Sequence, residues 1–196
     1  LWQKLSRMKP QRRKSSPLQR KQTLWKRQFQ KLSDSLQSIG SDAFYNCSGL
    51  ISLDLPNSLQ TIESYAFYNC SGLTSLNLPD NLQTIKSHAF YNCSGLTSLN
   101  LPDNLQHLEF AAFRRCKSLT SLNIPGSLQT IGTEAFVECS DLISLNIENG
   151  VQVILDSFWK CSNLTNVNIP DSVQRIDKFA WYGRPKYLHK RNFEPF

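Results

Sequence analysis

The stretch Leu82–Asn104, LQTIKSHAFYNCSGLTSLNLPDN, repeats the 23 residues before it, Leu59–Asn81, at 21 of 23 positions. Only Glu63/Lys86 and Tyr65/His88 differ. With Leu82 as position 1, further units begin at Leu36, Leu59, Leu105, Leu128, Val151 and Val173. The first five are 23 residues long, the sixth has lost one residue before Phe158, and the seventh stops near Gly183. A leucine-dominated period of this length predicts coils that stack, because one coil cannot bury its own leucines and its neighbours must supply the core.

Each unit divides in two. Leu73-Thr-Ser-Leu76-Asn-Leu78-Pro79 alternates apolar and polar residues, as a half-buried strand does, and the proline then halts it. Ala89-Phe90-Tyr-Asn-Cys93-Ser-Gly-Leu96 has apolar residues three apart, which predicts a short helix or 3₁₀ turn that Gly95 ends. Stacking then gives a parallel sheet on one face and helical turns on the other.

The pattern L-x-x-I-x-x-x-A-F-x-x-C-x-x-L-x-x-L-x-L-P resembles the BspA-like leucine-rich repeat, from Leu36 to about Gly183. The resemblance implies an α/β solenoid: a right-handed superhelix with its parallel sheet on the concave face and short helical turns on the convex one. It also implies a role in binding host proteins or in adhesion, at the cell surface or secreted. In the chain as given, no apolar region of the kind a secretory signal carries follows the early charges, and no apolar run approaches the length that spans a bilayer.

The formal net charge of +7 is segregated. Residues 1–31 carry eleven Lys/Arg and no acid, whereas residues 36–183 carry seven Lys/Arg against thirteen Asp/Glu. The expected organisation is a basic, partly disordered arm (1–31), a solenoid of about seven units (32–183) and a basic, aromatic tail (184–196). Ser16 as N-cap, Pro17 at the first turn and Leu18, Trp25, Phe29 and Leu32 on one face predict an amphipathic helix over 17–32. Three readings compete for it: a cap over the first coil, an anchor on an anionic membrane, or a contact to phosphates. In the last two, Arg12, Arg13, Lys14, Arg20 and Lys21 are the polyanion-binding residues.

Stacking turns every repeat position into a column. The six cysteines (47, 70, 93, 116, 139 and 161) share one position, point the same way and read as buried free thiols that fill space, with neither disulfide geometry nor a second metal ligand nearby. Gln recurs at position 2 in all seven units, which predicts a ladder of side-chain amides. On the strand, inward Leu76 and Leu78 leave Ser75 and Asn77 outward, and the same holds for Ser98, Asn100, Ser121 and Asn123. This small, polar, almost uncharged concave face is either an undiversified structural surface or a grip on a ligand that itself repeats. Tyr45, Tyr68 and Tyr91 form a half-exposed convex stripe over the core Phe column, either a contact surface or a roof with its hydroxyls in water.

No catalytic constellation is present. His88, His107 and His189 lie on different units or the tail, outside any triad or metal spacing, and His88 beside Tyr65 reads as a packing variation. The reading is a non-enzymatic, monomeric module without a cofactor, its partner a protein or a repetitive glycan. The alternative is a scaffold whose basic arm binds nucleic acid or an anionic membrane.

Overall fold

The computed structural model describes residues 32–183. They form a parallel β-solenoid of about six turns, and three columns of main-chain hydrogen bonds join successive coils.

The first column is a five-stranded sheet. β3 (Ser75–Asn77), β5 (Ser98–Asn100), β7 (Ser121–Ile124), β9 (Ser144–Ile147) and β11 (Asn166–Asn168) lie in that order. Their register sets like against like: Ser75 pairs with Ser98, Leu76 with Leu99 and Asn77 with Asn100. The alternation read from the sequence holds, since Leu76 is buried while Ser75 and Asn77 are exposed. The second column is built of two-residue strands at positions 3–4. β1 (Ser38–Ile39), β2 (Thr61–Ile62), β4 (Thr84–Ile85) and β6 (His107–Leu108) make one ladder, and β8 (Thr130–Ile131), β10 (Val153–Ile154) and β12 (Arg175–Ile176) another. Here the expected Gln side-chain ladder gives way to main chain. Gln60 N donates to Gln37 O at 2.8 Å and Gln83 N to Gln60 O at 2.9 Å, while the exposed Gln amides make no side-chain hydrogen bond among the described residues.

The third column corrects the expectation of helical turns, because no helix forms among the described residues. Position 7 (Asp42, Tyr65, His88, Ala111, Glu134) and position 11 (Asn46, Asn69, Asn92, Arg115, Glu138, Lys160) are left-handed, with φ between 54° and 65°. A right-handed helix cannot pass through such residues. The segment is instead a run of tight turns with an alternating pattern. Ala66, Tyr68 and Cys70 donate back three residues, to Glu63, Tyr65 and Phe67. The residues between them, Tyr65, Phe67 and Asn69, donate forward to Ser87, Ala89 and Tyr91 of the next coil at 2.7–3.2 Å. Every N–H of the turn is thereby satisfied, half of them along the stack.

Between the columns lies the core. Leu59, Ile62, Phe67, Cys70 and Leu73, and their equivalents through the sixth coil, are buried, whereas Val173 and Ile176 of the last coil are half-buried. The Phe column stacks face to face from Phe44 to Phe158 and ends on Trp181, with centroids 4.8–5.6 Å apart. Each thiol in this core also has a partner, beyond the space-filling role read from the sequence. Cys70 Sγ donates to Phe44 O at 3.1 Å and Cys93 Sγ to Phe67 O at 3.2 Å, and Cys116, Cys139 and Cys161 repeat the contact at 3.2–3.4 Å.

The shortened sixth coil has lost its left-handed position 7. Ser157, standing where other coils have Ala, is fully buried and its Oγ donates toward Ile131 O and Gly132 O. That hydroxyl supplies a donor at the gap, so the stack continues, with Phe136 N still bonded to Ser157 O at 2.9 Å.

Candidate functional site

The sheet face carries two parallel columns, the position-17 residues Ser75, Ser98, Ser121 and Ser144, closed by Asn166, and the position-19 residues Asn77, Asn100, Asn123, Asn146 and Asn168. A shallow depression of about 380 Å³ runs over its later strands, floored by Leu99, Leu122 and Leu145 and walled by Ser and Asn. Hydroxyls and amides both donate and accept, so the face offers uncharged hydrogen bonding repeated once per coil, about every 4.8 Å.

The Asn column is not uniform. Asn168 Nδ2 donates to Asn146 Oδ1 at 2.8 Å, Asn146 Nδ2 to Asn123 Oδ1 at 2.5 Å, and Asn123 Nδ2 to Glu148 Oε1 at 2.7 Å. This chain of amides ends on a carboxylate whose other oxygen accepts Gly126 N at 3.3 Å. Asn77 and Asn100 lie outside it. Both are exposed, and neither makes a side-chain hydrogen bond among the described residues. The face thus has a self-bonded half and an open half. Glu148 was missed as a site residue in the sequence, although a signal was there: it replaces the proline that ends the strand in units one to four.

On the turn face Tyr45, Tyr68 and Tyr91 stack with centroids 4.8–4.9 Å apart. Stacking along the axis covers both ring faces of Tyr68, while Tyr45 at the end of the stack is exposed. Arg115 sits over Tyr91 at 5.7 Å and closes the stack. A second stack runs beside it, Tyr65 on His88 at 4.9 Å, with Phe110 edge-on to His88. Burial, with help from the Arg114 charge, lowers the His88 imidazole below its ordinary value. Arg114 does not continue the tyrosine stripe. Its guanidinium pairs with Glu134 and with Glu138 at 3.3 Å, and Arg115 reaches Glu138 at 2.9 Å. Burial would raise the Glu138 carboxyl, but the two arginines hold it below its ordinary value.

The proposed polyanion residues Arg12, Arg13, Lys14, Arg20 and Lys21, the helix expected to start at Pro17, and the tail from residue 184 lie outside the described residues. Among the described residues no helix is long and apolar enough to cross a membrane, and no cluster of His, Cys, Asp or Glu could hold a metal ion.

Residues 26–82 and 60–188 match the BspA type leucine rich repeat region, in six copies. Comparison with curated protein sequences returned no match. Among solved structures, the T. pallidum leucine-rich repeat protein superposes with a TM-score of 0.70 at 32% identity, over 78% of this chain and 73% of that one. A leucine-rich cell surface protein of Faecalibacterium prausnitzii gives 0.69 at 29% identity, over 76% of this chain and 40% of its own. A leucine-rich repeat protein of Bacteroides ovatus gives 0.59 at 28%, over 76% and 45%. The chain therefore spans less than half of the last two proteins.

Proposed function

The chain belongs to the BspA-type leucine-rich repeat family, and from that premise we propose a non-enzymatic recognition module whose sheet face grips an extended partner, a protein segment or a repetitive glycan, at a cell surface. The observation that carries this reading is the open half of the face. Asn77 and Asn100 present unpaired amides beside Ser75 and Ser98, at a spacing that a ligand with its own repeat can follow. The self-bonded Asn123 and its neighbours fix the later strands behind them. The face has no aromatic or Arg anchor of the kind that dominates tight globular interfaces, which favours many weak, repeated contacts. The cell-surface placement is supported by the naming of the Faecalibacterium protein. The tyrosine stripe is a roof on this reading, since the faces of Tyr68 and Tyr91 are already used by stacking and by Arg115. Binding of extended peptides and linear glycans, measured with wild type and with Asn77→Trp and Asn100→Trp, tests it. Loss of binding with an unchanged fold supports the face, and unaltered binding rules it out.

A second reading rests on the charge segregation, eleven basic residues and no acid in residues 1–31. In it the solenoid is a scaffold and the arm binds polyanions. Binding to heparin or anionic vesicles that falls steeply with salt, and that Arg12, Arg13, Lys14, Arg20 and Lys21 to Gln abolishes, would select it.

A further inference from the structure

Of the fifteen asparagines in the chain, only Asn149 precedes a glycine. Asn149 is exposed, in the turn between β9 and β10. Gly150 follows with φ of 121°, and it packs so closely on Gly126 of the preceding coil that a Cβ on either residue would collide with main chain of the other's turn. Gly150 N donates to Ser172 Oγ at 3.0 Å, and that hydroxyl donates onward to Val151 O at 2.8 Å.

We infer that Asn149 is a site of spontaneous modification, at which Gly150 N closes a succinimide on the Asn149 side chain, and that Ser172 restrains the reaction in the folded protein. The chemistry needs no catalyst or oxidant. Gly150 N attacks Asn149 Cγ, the N–Cγ bond forms, the Cγ–Nδ2 bond breaks, and ammonia leaves with the proton that Gly150 N carried. Water then opens the ring. Addition at the side-chain carbonyl gives aspartate, and addition at the main-chain carbonyl gives isoaspartate. Glycine imposes no side chain on the attacking nitrogen, which is why this one asparagine is singled out. The nitrogen must also turn toward Cγ, and its bond to Ser172 aims it into the next coil instead.

The consequence reaches the sheet face. Isoaspartate adds an atom to the main chain where Gly126 and Gly150 leave no room, one residue from Glu148. Glu148 holds both Asn123 Nδ2 and Gly126 N, so the anchor of the amide chain is next to the change.

Peptide mapping by mass spectrometry after prolonged incubation at mildly alkaline pH tests the inference, with the full chain folded and in urea. Expected are conversion at Asn149 ahead of every other asparagine, several-fold faster conversion in urea than in the folded chain, and a fast folded rate in Ser172→Ala that Ser172→Thr slows again. Thermal melting run alongside shows whether Ser172→Ala remains folded. If it does not, the comparison of folded wild type with urea and with Ser172→Thr still decides. Conversion at Asn149 no faster than elsewhere overturns the site. Equal rates in folded and unfolded chain overturn the restraint.

Discussion

Lys86 Nζ lies 2.8 Å from Glu63 Oε2, across the gap between two coils that are otherwise nearly the same sequence. The other difference between those coils is stacked on itself in the same way, Tyr65 against His88. Glu109 follows Lys86 in the column and bonds Ser87, so charge alternates along the stack. A true copy at Lys86 would set carboxylates on neighbouring rungs. The Glu63 side-chain contact, with its charge, raises the Lys86 ammonium further above its already alkaline ordinary value, as a favourable pair does. Lys86→Glu should therefore lower the melting temperature at low salt. Added salt should recover part of the loss, and Glu63→Lys in the same chain should recover more.

The five buried thiols should be silent in the folded protein. Burial pushes Cys70 and Cys161 up to about 12 and holds Cys93, Cys116 and Cys139 well above the ordinary value of 9.0. A thiol reagent should label these five slowly in native protein and all six cysteines after unfolding. The same shifts make stability fall with alkalinity. The unfolded chain loses thiol protons near pH 9 while the folded chain keeps them, so the contribution is intact below pH 9 and is lost as pH rises toward about 12. Urea midpoints measured across that window should decline, and less so in Cys70→Ala.

Cys93→Ser tests the thiol's own bond. The hydroxyl still faces Phe67 O, now from a shorter side chain, so the loss should be about 1–2 kcal/mol in urea unfolding. A loss above about 3 kcal/mol would mean that the carbonyl fails to serve the hydroxyl.

Sheet-face polarity separates neighbours. Leu99→Ala, at a buried site, should cost about 2–5 kcal/mol, and Asn100→Trp, one residue on and exposed, should leave the urea midpoint near wild type.

Ala111 and Ala112 separate turns from helix. Ala111 is buried with φ of 54°. Ala111→Gly should be neutral or gain up to about 1 kcal/mol, because glycine removes the left-handed penalty. Ala112→Gly has no such relief and should lose about 1 kcal/mol, from its buried methyl and the greater freedom of glycine in the unfolded chain. Equal losses at the two sites would be incompatible with the turn geometry.

What the sequence made legible follows from where its information sits. The period, the inward leucines and the outward Ser75 and Asn77 are side-chain patterns, and a two-residue alternation has one physical meaning on a sheet. The turn was different, because Phe90, Cys93 and Leu96 at three-residue spacing fit a helix and a run of tight turns equally well. The clue lay in Asn46, Asn69 and Asn92, since asparagine tolerates the left-handed region. Tyr65 and Ala111 carry no such mark. The Gln column misled for a related reason: a repeated side chain was visible, whereas the main-chain bond beneath it was not. In the Asn column the letters of Asn100 and Asn123 are the same, and only Glu148, two dozen residues further on, decides which of them is open.

The forward-pointing bonds of the turn all have one sense, each coil giving hydrogens to the coil after it. Coils so joined are links in series. Pulled from its ends, the array should yield one link at a time, each release paying out 23 residues of contour, roughly 80 Å at full extension. A single-molecule force trace would then show evenly spaced steps, with one shorter step where the sixth coil lacks its residue.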